Sequence, residues 1–98
     1  MTIEKIAEGP TLTLKIVGRL DTVTAPALEA AVEGTANGVE KLILDCSGLE
    51  YVSSAGLRVI LKAQKLMSAR GSMELVGVNE AIMEVFDITG FADILTIR

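Results

Sequence analysis

Residues 51–60, YVSSAGLRVI, set two adjacent hydroxyls, Ser53 and Ser54, between an apolar run of strand character and a longer one of helical character. A serine so placed can accept a hydrogen bond from a free N–H at the head of the helix, attack a substrate, or take a phosphoryl group from another protein. As a nucleophile it lacks a base. The chain has no histidine, and the G-x-S-x-G elbow is half matched, because Gly56 follows Ser54 but Val52 stands two residues before it. A capping box fails as well, since Gly56 and Leu57 occupy the positions where Glu or Gln is needed. Simple capping, worth about 1 kcal/mol, and modification both remain open.

The other reactive groups read as structural. Asp21, after Gly18 and Arg19, is expected to organise a turn, and Asp45, ending an apolar run, to hydrogen-bond the loop that follows. Nothing in the spacing brings the two carboxyls together as an acid–base pair. Cys46 is the sole cysteine, so no intramolecular disulfide forms, and it is expected as a small buried apolar group. Without histidine the usual nitrogen ligands for zinc are missing. No catalytic residue, metal or cofactor is expected.

Thirteen acids against nine bases leave a formal net charge of -4. That sign disfavours binding to a phosphate backbone, and only Tyr51, Phe86 and Phe91 could stack on bases, so nucleic acid is not an expected partner. The apolar stretch AGLRVILKAQKLM, 55–67, is cut by Arg58, Lys62 and Lys65, and no run approaches the roughly 18 to 20 residues of a membrane span. The start, MTIEKIAEG, carries acids early and has no secretory pattern. A cytoplasmic protein without membrane contact is expected.

The elements that must hold the serines follow from hydropathy. Ninety-eight residues are one domain's worth of chain, 1–98. TLTLKIV, 11–17, alternates with period two, and residues 2–7 are expected to pair with it across the short EGP turn. Thr24 as N-cap, Pro26 in the first turn and Asn37-Gly38 as a left-handed stop predict a helix over 25–36. KLILDCS, 41–47, fits a strand buried on both faces, followed by a loop, GLEYVS. A second helix over about 55–70, a strand over 72–78, a helix over 79–90 and a closing strand, ADILTIR, complete the chain. The fold class is α/β, a mixed sheet covered by helices in the order β-β-α-β-α-β-α-β. Binding sites in such folds gather at the carboxyl ends of strands, where Ser53 and Ser54 fall.

At about 100° per residue, Val59, Ile60, Ala63, Leu66 and Met67 share the arc expected to pack on the sheet, and Arg58, Lys62 and Lys65 line the opposite arc. Leu57, Leu61 and Ser54 lie between. A contact surface of Ser54, Leu57, Arg58 and Leu61 is expected, with apolar anchors rimmed by positive charge. Gly56, costly in a helix, suggests a close approach of backbone or partner.

These motifs carry a resemblance. LILDCSGLEYVSSAGLRVIL, 42–61, resembles the signature of the STAS domain of bacterial anti-sigma factor antagonists, an apolar strand, an Asp, a short loop and an Asp/Ser-Ser-Ser/Ala-Gly-Leu turn into a helix. GRLDTVTAP, 18–26, is similar to the family's turn before its first helix, and VGVNEAIMEVFDITGFADILTI, 76–97, to its closing segment. The resemblance implies partner switching. An unphosphorylated antagonist binds an anti-sigma factor that is a serine kinase, phosphorylation of a loop serine ends the binding, and a serine phosphatase restores it. By position that serine is Ser54. Ser53 stands where the family often has Asp and is an alternative acceptor. The implied partner-binding residues are Asp21, Thr22, Ser53, Ser54, Ala55, Gly56, Leu57, Arg58 and Leu61, on a monomer or weak homodimer. The alternative is a STAS module that is never phosphorylated and binds a small ligand or scaffolds a complex.

Overall fold

Alternating Leu12, Leu14 and Ile16 commit the second segment of the chain to a strand, and that strand is the centre around which the rest assembles. The computed structural model describes residues 1–34 and 38–98. Its elements are β1 (Thr2–Glu8), β2 (Thr11–Leu20), α1 (Ala25–Glu33), β3 (Lys41–Val52), α2 (Ser54–Ser68), β4 (Ser72–Val76) and α3 (Glu80–Thr89), with a 3-10 turn at Phe91–Asp93. The strands form one mixed sheet in the order β1-β2-β3-β4. β1 and β2 are an antiparallel hairpin, and β3 runs parallel to both β2 and β4. Gly9, at φ +60, supplies the positive φ that a two-residue hairpin turn needs in its first position.

One face of the sheet carries the core. Leu12, Leu14, Ile16, Leu42, Leu44, Cys46, Met73 and Leu75 pack in a single cluster with Leu28 and Val32 of α1, Ile60, Ala63 and Met67 of α2, and Ile82 and Phe86 of α3. On the other face Thr13, Lys15, Ile43 and Asp45 are half-buried. The expected burial of 41–47 on both faces is therefore corrected. Its residues alternate, and one side is closed.

β3 is also longer than expected, because GLEYV is strand and not loop. Gly18 and Gly48 look like breakers in sequence but mark irregularities in pairing. Lys15 pairs Asp45 while Val17 pairs Gly48, and Gly18 pairs Leu49 while Arg19 pairs Tyr51, so β3 takes up an extra residue twice. Such bulges bend a strand without ending it. A side chain on Gly48 would meet Val17 Cγ2 at 2.9 Å, so only glycine fits there.

The chain's last segment departs from expectation too. Gly90 caps α3 at φ +81, and residues 91–95 then wind, with Ile94 and Leu95 both donating to the Phe91 carbonyl. What remains is a bridge, Leu75 opposite Ile97, with Leu75 N–H donating to Thr96 and Arg98 N–H donating to Leu75, each at 2.9 Å. The order is β-β-α-β-α-β-α. Buried Glu74 is held there by Lys41 Nζ at 3.0 Å and Arg98 Nη2 at 3.2 Å.

α1 ends at Glu33, short of the expected 36. Gly38 does have the left-handed φ, +86, expected of a stop, while Asn37 lies outside the described residues. Among the described residues no helix is long and apolar enough to cross a membrane.

Candidate functional site

Parallel pairing of β2 with β3 sets two turns side by side. The last rungs are Arg19 opposite Tyr51 and Leu20 opposite Val52, and the chain leaves β2 into Asp21 and β3 into Ser53. One hydrogen bond joins the exits, Ser53 N–H to the Leu20 carbonyl at 2.9 Å.

The two serines are divided by the helix start. Ser53 is the N-cap of α2, its backbone extended at φ -94 and ψ 176, and its Oγ accepts from Gly56 N–H at 3.3 Å. Ser54 is the first helical residue. Its hydroxyl is exposed and makes no side-chain hydrogen bond among the described residues. Capping and availability are thus separate properties of neighbouring residues, at a helix head whose first N–H groups have no carbonyl within α2 to donate to.

On the other turn Asp21 does the organising. Its Oδ1 accepts from Val23 N–H at 3.0 Å and Thr24 N–H at 3.1 Å, and its carbonyl accepts from Ala25 N–H at 2.8 Å. The Thr24 N–H, helped by the Thr24 hydroxyl, the Val23 N–H and the Arg19 charge, holds the Asp21 carboxyl below its ordinary value. Thr24, expected as an N-cap, makes no capping bond. Its Oγ1 instead donates to the Arg19 carbonyl at 2.7 Å and accepts from Asp21 N–H at 2.9 Å, because its backbone is already helical at φ -95 and ψ -20. An Asp21 carboxylate so occupied is not a free base for a serine.

The predicted site residues do not all come to the surface. Thr22, Ala55 and Arg58 line one groove of about 410 Å³ between α1 and α2, with Pro26 and Glu29 opposite. Thr22, Ser54 and Arg58 are exposed, and Asp21, Ser53, Ala55 and Leu61 half-buried. Leu57 is a correction. Only 9% of its surface is exposed, because the first turn of α2 lies low on the sheet and turns that residue into the core. Gly56 explains how the turn gets so close. A Cβ there would sit 2.7 Å from Leu20 Cγ and 2.9 Å from Val52 Cγ2, so the glycine serves packing.

The expected arcs of α2 are otherwise present, with Val59, Ile60, Ala63 and Met67 buried, Leu66 half-buried, and Arg58, Lys62 and Lys65 exposed. Lys62 is more than a solvated charge. It reaches Glu29 Oε2 at 2.9 Å and Glu33 Oε1 at 2.8 Å, tying α2 to α1, and these hydrogen bonds, Glu33 first, raise its pKa.

Two neighbours escaped the sequence reading. The Arg19 guanidinium lies over the Tyr51 ring at 4.2 Å and approaches Asp21 Oδ2 at 4.0 Å. The signal was the parallel register, which pairs them as opposite residues only once β3 is known to continue past Gly48.

Asp45 Oδ1 accepts from Ser47 N–H at 3.0 Å, a bond that lowers its pKa, but Ser47 lies within β3 and not in the loop expected to follow. Cys46 is buried, and burial, with the adjacent Asp45 charge, pushes its thiol up to about 12. It is inert at neutral pH. Among the described residues no three Cys, Asp or Glu side chains gather closely enough to share a metal ion.

Comparison with known proteins points the same way as the turns. Residues 2–98 match the family model described as the STAS domain. The chain is 33% identical over 86 residues to the anti-sigma-B factor antagonist of Listeria monocytogenes, spanning 85% of this chain and 75% of that one. It is 31% identical over 85 residues to the protein of the same name from Bacillus subtilis, spanning 86% and 78%. The solved structure of the Bacillus cell fate determinant SpoIIAA in its phosphorylated form superposes with a TM-score of 0.77 over 99% of this chain and 91% of that one. At 17% identity that last likeness is one of fold.

Proposed function

This chain belongs to the STAS domain family, and we propose that it is an anti-sigma factor antagonist switched by phosphorylation of Ser54. Unmodified, it binds an anti-sigma factor that is also a serine kinase, through Asp21, Thr22, Ser53, Ser54, Ala55, Arg58 and Leu61. It has no catalytic role of its own. The names of the Listeria and Bacillus relatives support the antagonist reading, and the phosphorylated form of SpoIIAA supports the compatibility of this fold with a phosphoryl group.

The observation that carries the switch is the division of labour at the head of α2. Ser53 holds the cap, and Ser54 stands exposed beside it with its hydroxyl uncommitted. The kinase transfers the γ-phosphoryl of ATP to Ser54 Oγ. The new O–P bond replaces the bond from the γ-phosphorus to ADP, and the hydroxyl proton leaves to solvent. About 1.5 to 2 negative charges then sit against the free N–H groups of the first turn, which favour them, so the domain stays folded. Against a partner the same charge must be desolvated. A penalty of roughly 3 kcal/mol weakens binding on the order of a hundredfold. A serine phosphatase reverses the modification.

Incubation with ATP and the cognate kinase, read by intact mass and fragment mapping, tests this. One phosphoryl group on Ser54, absent from Ser54→Ala, is the expected result. A chain left unmodified, as in a STAS module that only scaffolds or binds a small ligand, overturns it, and label on Ser53 moves the acceptor by one residue.

A further inference from the structure

Building on the reading of Ser54 as phosphoacceptor, we infer that Arg58 is the cation that captures the phosphate, turning from the outer face of α2 to pair with the phosphoryl oxygens one turn away. Both residues lie in the same continuous helix, Ser54–Ser68, four positions apart. Side chains at that spacing are neighbours, with Cβ atoms roughly 5 to 6 Å apart, and a guanidinium fork matches phosphate geometry. Both are exposed.

The other cations at this end of the sheet are committed. Arg19 stacks on Tyr51 and approaches Asp21. Lys62 is held between Glu29 and Glu33. Arg58 has no ion pair among the described residues, although it lines the groove beside Thr22 and Ala55. The acid on the adjoining turn, Asp21, already accepts two backbone N–H groups, and Glu29 across the groove is engaged with Lys62. Two further acids lie at this end of the sheet, exposed Glu50 on β3 and exposed Glu80, which follows Asn79, whose side chain donates to the Leu49 carbonyl at 2.9 Å. Phosphorylation adds negative charge to the docking face, and capture withdraws from that face the positive rim that Arg58 provides.

The test uses the full chain with phosphoserine installed at position 54 by genetic code expansion, followed by phosphorus NMR through the second phosphate ionisation. With Arg58 present the midpoint lies lower than in Arg58→Gln by about half a pH unit, roughly threefold in proton affinity. Arg58→Lys restores part of that shift, and Lys65→Gln, about three turns from Ser54 along α2, leaves it unchanged. Equal midpoints for wild type and Arg58→Gln overturn the pairing. Partner binding of the same phosphorylated protein reports separately on the switch. Release without a coupled midpoint removes Arg58 from the mechanism and leaves the switch standing, whereas a coupled midpoint without release upholds the pairing and removes the switch.

Discussion

Ser53 N–H donates to the Leu20 carbonyl at 2.9 Å, so the head of α2 and the exit of β2 are fastened by a single backbone bond. Ser54 is therefore presented from a corner of the sheet where the two turns are tied together, with Asp21 on the adjoining turn. Movement of either turn displaces the other, which is why substitutions around Ser54 separate into those that alter the corner and those that alter only its surface.

Ser53→Ala belongs to the first kind. Loss of the Oγ that accepts from Gly56 N–H is expected to lower stability by about 1 kcal/mol, read as a lower denaturant midpoint at unchanged slope. The phosphoryl acceptor survives the change. Labelling of Ser54 in this variant continues once the protein is kept well below its unfolding midpoint.

Gly56→Ala is expected to destabilise despite the better helix propensity of alanine. Propensity favours the change by up to about 1 kcal/mol, but the new methyl meets Leu20 and Val52 inside 3 Å and must lift the first turn from the sheet, costing roughly 1 to 3 kcal/mol. Equilibrium unfolding decides the sign, and a more stable variant would show that the corner is pliable.

Leu57 and Leu61 are expected to part company. Leu57→Ala removes a core side chain and costs about 2 to 4 kcal/mol. Leu61→Ser, at a half-buried position, costs at most about 1 kcal/mol yet weakens partner binding at least tenfold. Paired unfolding and calorimetric titration of the two variants check both halves.

Acid is expected to loosen the corner. Asp21 and Asp45 have folded pKa values below their ordinary 3.8, the first through the Thr24 N–H and the second through the Ser47 N–H. A lowered folded value means the unfolded chain binds protons more readily, so the contribution is fully present above about pH 5 and is lost as pH falls through 3.8 toward the folded values. Asp21→Asn and Asp45→Asn are less stable at pH 7 and lose less on going to pH 3, as denaturant midpoints measured across that range will register.

Much of this was legible in sequence where a local rule met no competitor. The hairpin across Gly9-Pro10 and the surface position of Ser54 both follow from neighbours in the chain, whereas Asn79, expected inside the helix 79–90, caps α3 by accepting from Ile82 N–H at 2.8 Å. What failed depended on distant pairing. Gly48 reads as a loop residue until β2 lies beside it and the bulge gives it a reason. Leu57 reads as an apolar anchor of the contact surface because a helical wheel places it between arcs, and only the depth at which Gly56 lets α2 settle turns it inward. The expected closing strand gives way to winding, since the 3-10 turn after Gly90 takes up residues of the segment expected to be extended. Arg19 over Tyr51 needed the register of two strands separated in sequence by all of α1, which no local pattern carries.

The central claim is that charge at Ser54, and not loss of its hydroxyl, ends partner binding. Titration calorimetry of the cognate anti-sigma factor kinase against wild type, Ser54→Ala and Ser54→Asp tests it most directly. Ser54→Ala binding within about threefold of wild type, with Ser54→Asp weaker by on the order of a hundredfold, is the predicted result. Ser54→Asp binding as tightly as wild type would contradict it.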